Sequence, residues 1–133
     1  MDCARTGGAL VLLVEDDRAG REMYALEFEQ AGFRVEQAHN GLQALDKAVS
    51  LLPHVIVTDL AIPGIDGLQL CKRLREDART SSIPIIGITG YAGFAAAPAR
   101  ATRAGSVAIF VKPCHPDIVL AEINRLLPTA RRV

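Results

Sequence analysis

The residues of this sequence best suited to chemistry are polar side chains that directly follow short apolar runs. There are five of them: Glu15 and Asp16 after the first run, Asp59 after the third, Thr89 after the fourth and Lys112 after the fifth. Packing of an apolar core does not require polar residues to recur at these places. The pattern therefore marks the five residues as candidates for a common site.

The side-chain types of these candidates match the needs of phosphoryl transfer. Carboxylates that are brought together repel one another, and a hard cation such as Mg²⁺, which prefers oxygen ligands, relieves that repulsion. A carboxylate can also attack an electrophilic phosphorus and form an acyl phosphate. The transferred group then needs charge neutralisation, to which Lys112 can contribute a positive charge and Thr89 a hydroxyl hydrogen bond. The set predicts a site that forms and holds an aspartyl phosphate.

The apolar runs alternate with longer amphipathic segments, which indicates alternating strands and helices. Strands are predicted at residues 9–14, 33–38, 55–58, 84–88 and 107–111. This alternation predicts an α/β fold with a five-stranded parallel sheet and helices on both faces. In such a sheet the ligand site lies beyond the carboxyl ends of the strands, where the five candidate residues would meet.

The helices are predicted from apolar residues at helical spacing and from capping residues. The first should run from about residue 17 to residue 31 and end at Gly32, and Asn40 can cap the second. An alanine-rich stretch with Pro98 in its first turn should form a short helix that ends near Gly105. The expected inner faces are Ala19, Met23 and Leu26 on the first helix; Leu42, Leu45, Ala48 and Val49 on the second; Leu70, Cys71 and Leu74 on the third; and Val119, Ile123, Leu126 and Leu127 on the last, at about residues 117–127.

The composition excludes several classes of protein. Lys and Arg number 15, as do Asp and Glu, so the formal net charge is zero and direct nucleic-acid binding is not expected. Three cysteines without a C-x-x-C pair predict neither a disulfide framework nor a zinc site. No apolar run approaches the roughly 18 residues of a membrane helix, and no signal peptide is recognisable. We therefore expect a cytoplasmic protein without membrane insertion.

Four sequence pieces carry a resemblance to a known family: LVEDD after the first run, VTDLAIPGIDG around the third, ITGYA around the fourth and FVKP at the fifth. With these four pieces in this order, the chain resembles a response-regulator receiver domain of two-component signalling, from about residue 9 to residue 127. The resemblance implies a flavodoxin-like, doubly wound fold with strand order 2-1-3-4-5. The expected domain covers residues 9–128, with tails at residues 1–8 and 129–133.

The resemblance also implies a role for each candidate residue. Glu15 and Asp16 would be the acidic pair that binds Mg²⁺, together with Asp59 and the backbone carbonyl of Ala61. Asp59 would accept the phosphoryl group, while Thr89 and Lys112 would contact it. The Lys112–Pro113 peptide bond is expected to be cis. Asp17, next to the acidic pair, is interpreted as the cap of the first helix rather than as a metal ligand.

Two positions depart from the family pattern. Ile109 stands three residues before Lys112, where the family commonly has Tyr or Phe as a reporter of phosphorylation. Phe110 is not a direct substitute, because strand alternation turns it to the opposite face. Gly90 follows Thr89 where Ala is frequent, and the segment after it is one residue longer than is common. Ile109 is therefore an uncertain switch position, and the output surface is less well predicted than the site.

The expected function is that of a signalling receiver that catalyses its own phosphorylation and dephosphorylation, and not of an enzyme in the ordinary sense. A sensor histidine kinase or a histidine phosphotransfer protein would supply the phosphoryl group to Asp59, and the downstream partner is not predicted. The alternatives are a pseudo-receiver that is never phosphorylated, an Asp-nucleophile phosphatase and a flavodoxin-like cofactor module. Ala61 disfavours the phosphatase, which needs a second Asp there, and the acidic residues after the first strand would repel a flavin phosphate.

Overall fold

The computed structural model describes residues 8–62, 65, 67–90 and 108–127. Five strands lie in this part of the chain: β1 (Leu10–Val14), β2 (Arg34–Ala38), β3 (Val55–Asp59), β4 (Ile85–Thr89) and β5 (Ala108–Val111). Four helices accompany them: α1 (Arg18–Gln30), α2 (Gly41–Leu51), α3 (Gly67–Glu76) and α4 (Pro116–Leu126). The predicted alanine-rich helix between Gly90 and Gly105 falls outside the described residues, as does nearly all of the two predicted tails.

The strands form one parallel sheet in the order β2-β1-β3-β4-β5, which confirms the predicted architecture. The register aligns the carboxyl ends of neighbouring strands. Val14 pairs with Thr58, Asp59 pairs with Ile88, and Thr89 pairs with Val111. Residues that follow these strands therefore lie along one edge of the sheet.

Each face of the sheet carries its own apolar core. On one face, Val57 and Ile88 pack with α1 and α4; on the other, Val14 and Ile56 pack with α2 and α3. The central strand β3 is buried along its whole length, as a strand covered on both faces must be. Among the described residues, no helix has both the length and the apolar character needed to cross a membrane.

The first helix does not bury the predicted residues. Ala19, Met23 and Leu26 are exposed, and the inner face consists of Tyr24, Ala25 and Phe28. The prediction was wrong because the two large aromatic side chains four residues apart fill the space above β1 and β3 better than the stripe of Met23 and Leu26. The predicted end was correct, since Gly32 directly follows the last turn with φ of 102°.

The second helix is capped by Asn40, as predicted: the Asn40 side-chain oxygen accepts a hydrogen bond from the backbone N–H of Gln43 at 2.8 Å. Its inner face contains Ala44 and Ala48, whereas Leu42 is exposed, so the prediction for Leu42 was wrong. Small residues face inward here because α2 lies close to the sheet and to the loop after β3.

The two remaining helices bury the predicted residues. Leu70, Cys71 and Leu74 are fully or almost fully buried on α3, and Val119 and Ile123 are fully buried on α4. The helix α4 begins at Pro116 after His115, whose Nδ1 accepts a hydrogen bond from the backbone N–H of Asp117 at 3.1 Å. A histidine cap of this kind was not predicted from the sequence.

The close approach of α2 to the loop after β3 gives a testable prediction. A Cβ atom added to Gly41 would lie 2.5 Å from the carbonyl oxygen of Ile65, which is closer than real Cβ atoms come to such atoms. Gly41→Ala should therefore lower the free energy of unfolding by about 1–3 kcal/mol in urea denaturation, although alanine is the better helix former. Gly90→Ala is the matched control, because its Cβ would meet no atom closer than 3.8 Å. Equal stability of the two variants would contradict the close approach.

Candidate functional site

The sheet brings the five candidate residues to one edge. Glu15 and Asp16 follow β1, Asp59 ends β3, Thr89 ends β4 and Lys112 follows β5. Because β1, β3, β4 and β5 are successive neighbours in the sheet, the acidic pair and Lys112 flank Asp59 from opposite sides. The structure thus assembles the residues that the sequence singled out from four separate segments.

The ammonium group of Lys112 links two carboxylates. Its Nζ lies 2.7 Å from Oε1 of Glu15 and 2.7 Å from Oδ2 of Asp59. Glu15 and Asp59 are almost fully buried, whereas Lys112 is about one third exposed. The backbone N–H of Lys112 also donates to the carbonyl oxygen of Thr89 at 2.7 Å, which ties the backbone of Lys112 to the end of β4.

Burial and ion pairing shift the pKa values of two of these groups. Burial raises the pKa of Glu15 above its ordinary value, against the opposing effect of its hydrogen bonds to Lys112 and Asp17. Burial alone would lower the pKa of Lys112, but its hydrogen bonds to Asp59 and Glu15 outweigh that effect and raise it. Lys112 is therefore a permanent positive charge in this site.

The Asp59 carboxylate is held at both of its oxygens. Oδ2 contacts Lys112, and Oδ1 accepts a hydrogen bond from the backbone N–H of Ala61 at 2.8 Å. The loop is further fixed where α3 begins, since the N–H of Gly67 donates to the carbonyl of Leu60 at 3.0 Å. A Cβ at Gly67 would lie 2.4 Å from the Cα of Leu60, so this packing requires glycine.

The acidic turn after β1 is ordered by hydrogen bonds of its own. Oδ2 of Asp17 accepts from the N–H of Gly20 at 2.8 Å, which confirms that Asp17 caps α1. Oε2 of Glu15 accepts from the N–H of Asp17 at 3.0 Å. Arg21 donates from Nη1 to the carbonyl oxygen of Glu15 at 2.9 Å. Arg21 was not predicted from the sequence, because an arginine near the start of a helix carries no distinctive signal.

Three carboxylates of the site fit a divalent cation. Glu15, Asp16 and Asp59 each offer one oxygen, and these oxygens lie within 4.8 Å of one another. Carboxylate oxygens are the ligands that Mg²⁺ prefers. The three carboxyl groups, which carry three formal negative charges, also outnumber the one ammonium group that contacts them. Both the donor set and the charge therefore suit a hard cation such as Mg²⁺.

Strand alternation places Ile109 and Phe110 on opposite faces, as predicted. Ile109 pairs with Gly87, whereas Phe110 pairs with Ile88 and packs against the core formed with α1 and α4. The position where the family commonly has an aromatic residue is thus a half-buried isoleucine. The Lys112–Pro113 peptide bond is cis, which confirms the expectation from the resemblance.

The family model described as the response regulator receiver domain matches residues 11–124. RpaA of Synechocystis, named as a DNA-binding dual master transcriptional regulator, is 32% identical over 123 residues, which are 92% of this chain and 51% of RpaA. The chain thus spans about half the length of the curated relatives it matches.

Solved structures show the same fold. The chemotaxis response regulator CheY4 of Vibrio cholerae superposes with a TM-score of 0.83 at 29% identity, covering 90% of this chain and 99% of CheY4. The receiver domain of a histidine kinase from Syntrophus aciditrophicus gives a TM-score of 0.82 at 26% identity and covers 94% of both chains. Sequence, fold and the arrangement of strand ends agree, and this chain belongs to the response regulator receiver domain family of two-component signalling.

Proposed function

We propose that this chain is a phospho-accepting receiver in which Asp59 takes the phosphoryl group. The observation that carries the proposal is the contact of the Asp59 carboxylate with Lys112, beside the acidic groups of Glu15 and Asp16. Receiver domains take phosphoryl groups from histidine kinases. A nucleophilic carboxylate, a fixed cation and a set of metal ligands at one edge of the sheet supply what this transfer needs.

Among the three carboxylates, Asp59 is best placed to be the nucleophile. It ends the central strand β3, between the acidic turn on one side and the end of β4 on the other. The N–H of Ala61 and the ammonium group of Lys112 orient its two oxygens. One carboxylate oxygen of Glu15 already accepts a hydrogen bond from the backbone of Asp17, and Asp16 is exposed.

In the proposed reaction a carboxylate oxygen of Asp59 forms a bond to phosphorus while the N–P bond of a partner phosphohistidine breaks. The electron pair of that bond stays with the imidazole nitrogen, and because the other ring nitrogen carries a proton, the histidine leaves as a neutral imidazole. The acyl phosphate then carries a charge of roughly −1.5 to −2, in place of the single negative charge of the carboxylate. Lys112 remains beside the acceptor and offsets part of this charge, and the Thr89 hydroxyl is proposed to donate a hydrogen bond to the transferred group. Water later hydrolyses the acyl phosphate and restores Asp59.

Mg²⁺ is the proposed cofactor, with Glu15, Asp16, Asp59 and the backbone carbonyl of Ala61 as the ligands. When bound, it supplies positive charge that screens the carboxylates from an incoming phosphoryl group. The chain's own contribution is to hold the ligands in place: Arg21 fixes the carbonyl of Glu15, and the N–H of Ala61 orients Asp59.

The proposed input partner is a sensor histidine kinase or a histidine phosphotransfer protein, and the proposed location is the cytoplasm. RpaA is named as a DNA-binding regulator, but this chain corresponds to only 51% of it. With a net charge of zero, the chain itself is proposed to act on a protein partner rather than directly on nucleic acid. To convert its surface almost completely between two states, phosphorylation must supply about 5.5 kcal/mol of differential stabilisation.

The phosphoacceptor assignment is tested with Asp59→Asn. Asparagine has no nucleophilic carboxylate, so this variant should take no label from acetyl phosphate and Mg²⁺, whereas the unaltered protein should be labelled; intact-protein mass spectrometry measures both. Asp46→Asn, which removes an exposed acid on α2, is the control and should be labelled normally. Undiminished labelling of Asp59→Asn would refute the assignment. Absence of label on the unaltered protein would favour the pseudo-receiver, to which Ile109 lends some support.

The proposed metal site is tested by Mg²⁺ titration in a calorimeter. Asp16 is exposed, so Asp16→Asn removes one ligand and leaves the buried contacts of Glu15 and Asp59 in place. The substitution should weaken Mg²⁺ binding by at least about tenfold, which is the least that changes around metal ligands usually cost. Asp46→Asn makes the same change of charge outside the cluster and should bind Mg²⁺ normally. Equal affinity of the two variants would remove Asp16 from the proposed ligand set.

A further inference from the structure

Tyr24 on α1 lies outside the candidate site but links two of the segments that carry it. Its side chain is 5% exposed, and its hydroxyl donates a hydrogen bond to the backbone carbonyl of Cys114. Cys114 lies two residues after Lys112, in the connection between β5 and α4. Neither the composition of the site nor the resemblance to receiver domains draws attention to this tyrosine.

The hydrogen bond connects the two segments that carry the opposite charges of the site. The acidic turn with Glu15 leads directly into α1, which carries Tyr24. Lys112 lies at the start of the connection that carries Cys114. At the site, the ammonium group of Lys112 spans to Glu15 at 2.7 Å. The hydrogen bond from Tyr24 to Cys114 links the same two segments at a second point, so it limits how far they can separate.

Hydrogen bonds hold the connection after β5 at both of its ends. The N–H of Lys112 is held by Thr89, and His115 caps α4 through the N–H of Asp117. Cys114 lies between these two anchors. Its carbonyl oxygen accepts the hydrogen bond from Tyr24, and its side chain packs against the core that includes Tyr24 and Phe28, so both contacts tie this stretch to α1.

We propose that Tyr24 is a positioning residue for Lys112, acting through the carbonyl of Cys114. For the reaction, this inference rests on the proposed function of Asp59. The ring and the hydroxyl of Tyr24 have separable tasks: the ring packs against Phe28 with centroids 5.7 Å apart, and the hydroxyl makes the bond. Burial raises the pKa of Tyr24, so the phenol keeps the proton that it donates.

Tyr24→Phe removes the hydroxyl and keeps the ring, and its first readout needs no phosphorylation. In the unphosphorylated protein, solvent exchange of the Lys112 ammonium protons is measured by NMR. Exchange should be about two- to tenfold faster in Tyr24→Phe, the range that corresponds to the loss of one hydrogen bond. Ile123→Val, which removes one carbon from the same core on α4 and leaves the aromatic pair of Tyr24 and Phe28 in place, is the control and should leave the exchange rate unchanged. Unchanged exchange in Tyr24→Phe would overturn the proposal.

The second readout is the rate of labelling by acetyl phosphate at saturating Mg²⁺. Tyr24→Phe should slow it about two- to tenfold while the Mg²⁺ concentration for half-saturation stays the same. In a Lys112→Ala background the same substitution should have no further effect, because a residue that acts through Lys112 cannot act without it. Equal slowing in both backgrounds would indicate a general structural role and refute the positioning role. Faster ammonium exchange in a protein that takes no label would leave the positioning intact and refute the function proposed for Asp59.

Discussion

The site depends on one ammonium group that serves two buried carboxylates. Lys112 contacts Glu15 and Asp59 at 2.7 Å each, and both acids are almost completely removed from solvent. Buried charges are tolerated when they are paired and hydrogen-bonded, and removal of one partner leaves an uncompensated charge. Lys112 therefore allows two acids to lie together at the sheet edge, and through them it connects β5 with β1 and β3.

The sheet order makes this contact demanding, because β4 lies between β5 and β3. The lysine side chain must cross the end of β4 to reach Asp59, and it passes Gly90 on the way. A Cβ at Gly90 would lie 3.8 Å from Cδ of Lys112, an ordinary van der Waals distance. An alanine would therefore also fit at this position. A larger side chain would meet the side chain of Lys112.

Much of this architecture could be predicted from the sequence, because apolar runs that end in polar residues fix both the strands and their functional ends. The helix faces were harder to predict. Met23 and Leu26 follow a helical period as well as Tyr24 and Phe28 do, so periodicity alone does not tell which of the two stripes is buried against the sheet. Hydrogen bonds between distant segments, such as that of Tyr24 to Cys114, leave no periodic signal at all. The strand ends are therefore visible in the sequence, whereas the hydrogen bond that links α1 to the connection after β5 is visible only in the structure.

The charge balance of the site explains why one lysine is a suitable number. One ammonium group facing Glu15, Asp16 and Asp59 leaves two negative charges without compensation, in a chain whose total formal charge is zero. A second lysine would stabilise the resting protein further, but it would remove the excess charge that the proposed cation binds. Without the lysine, burial would raise the pKa of Glu15 with less to oppose it. A single ammonium group therefore stabilises the buried acids and still leaves their cluster open to the proposed metal.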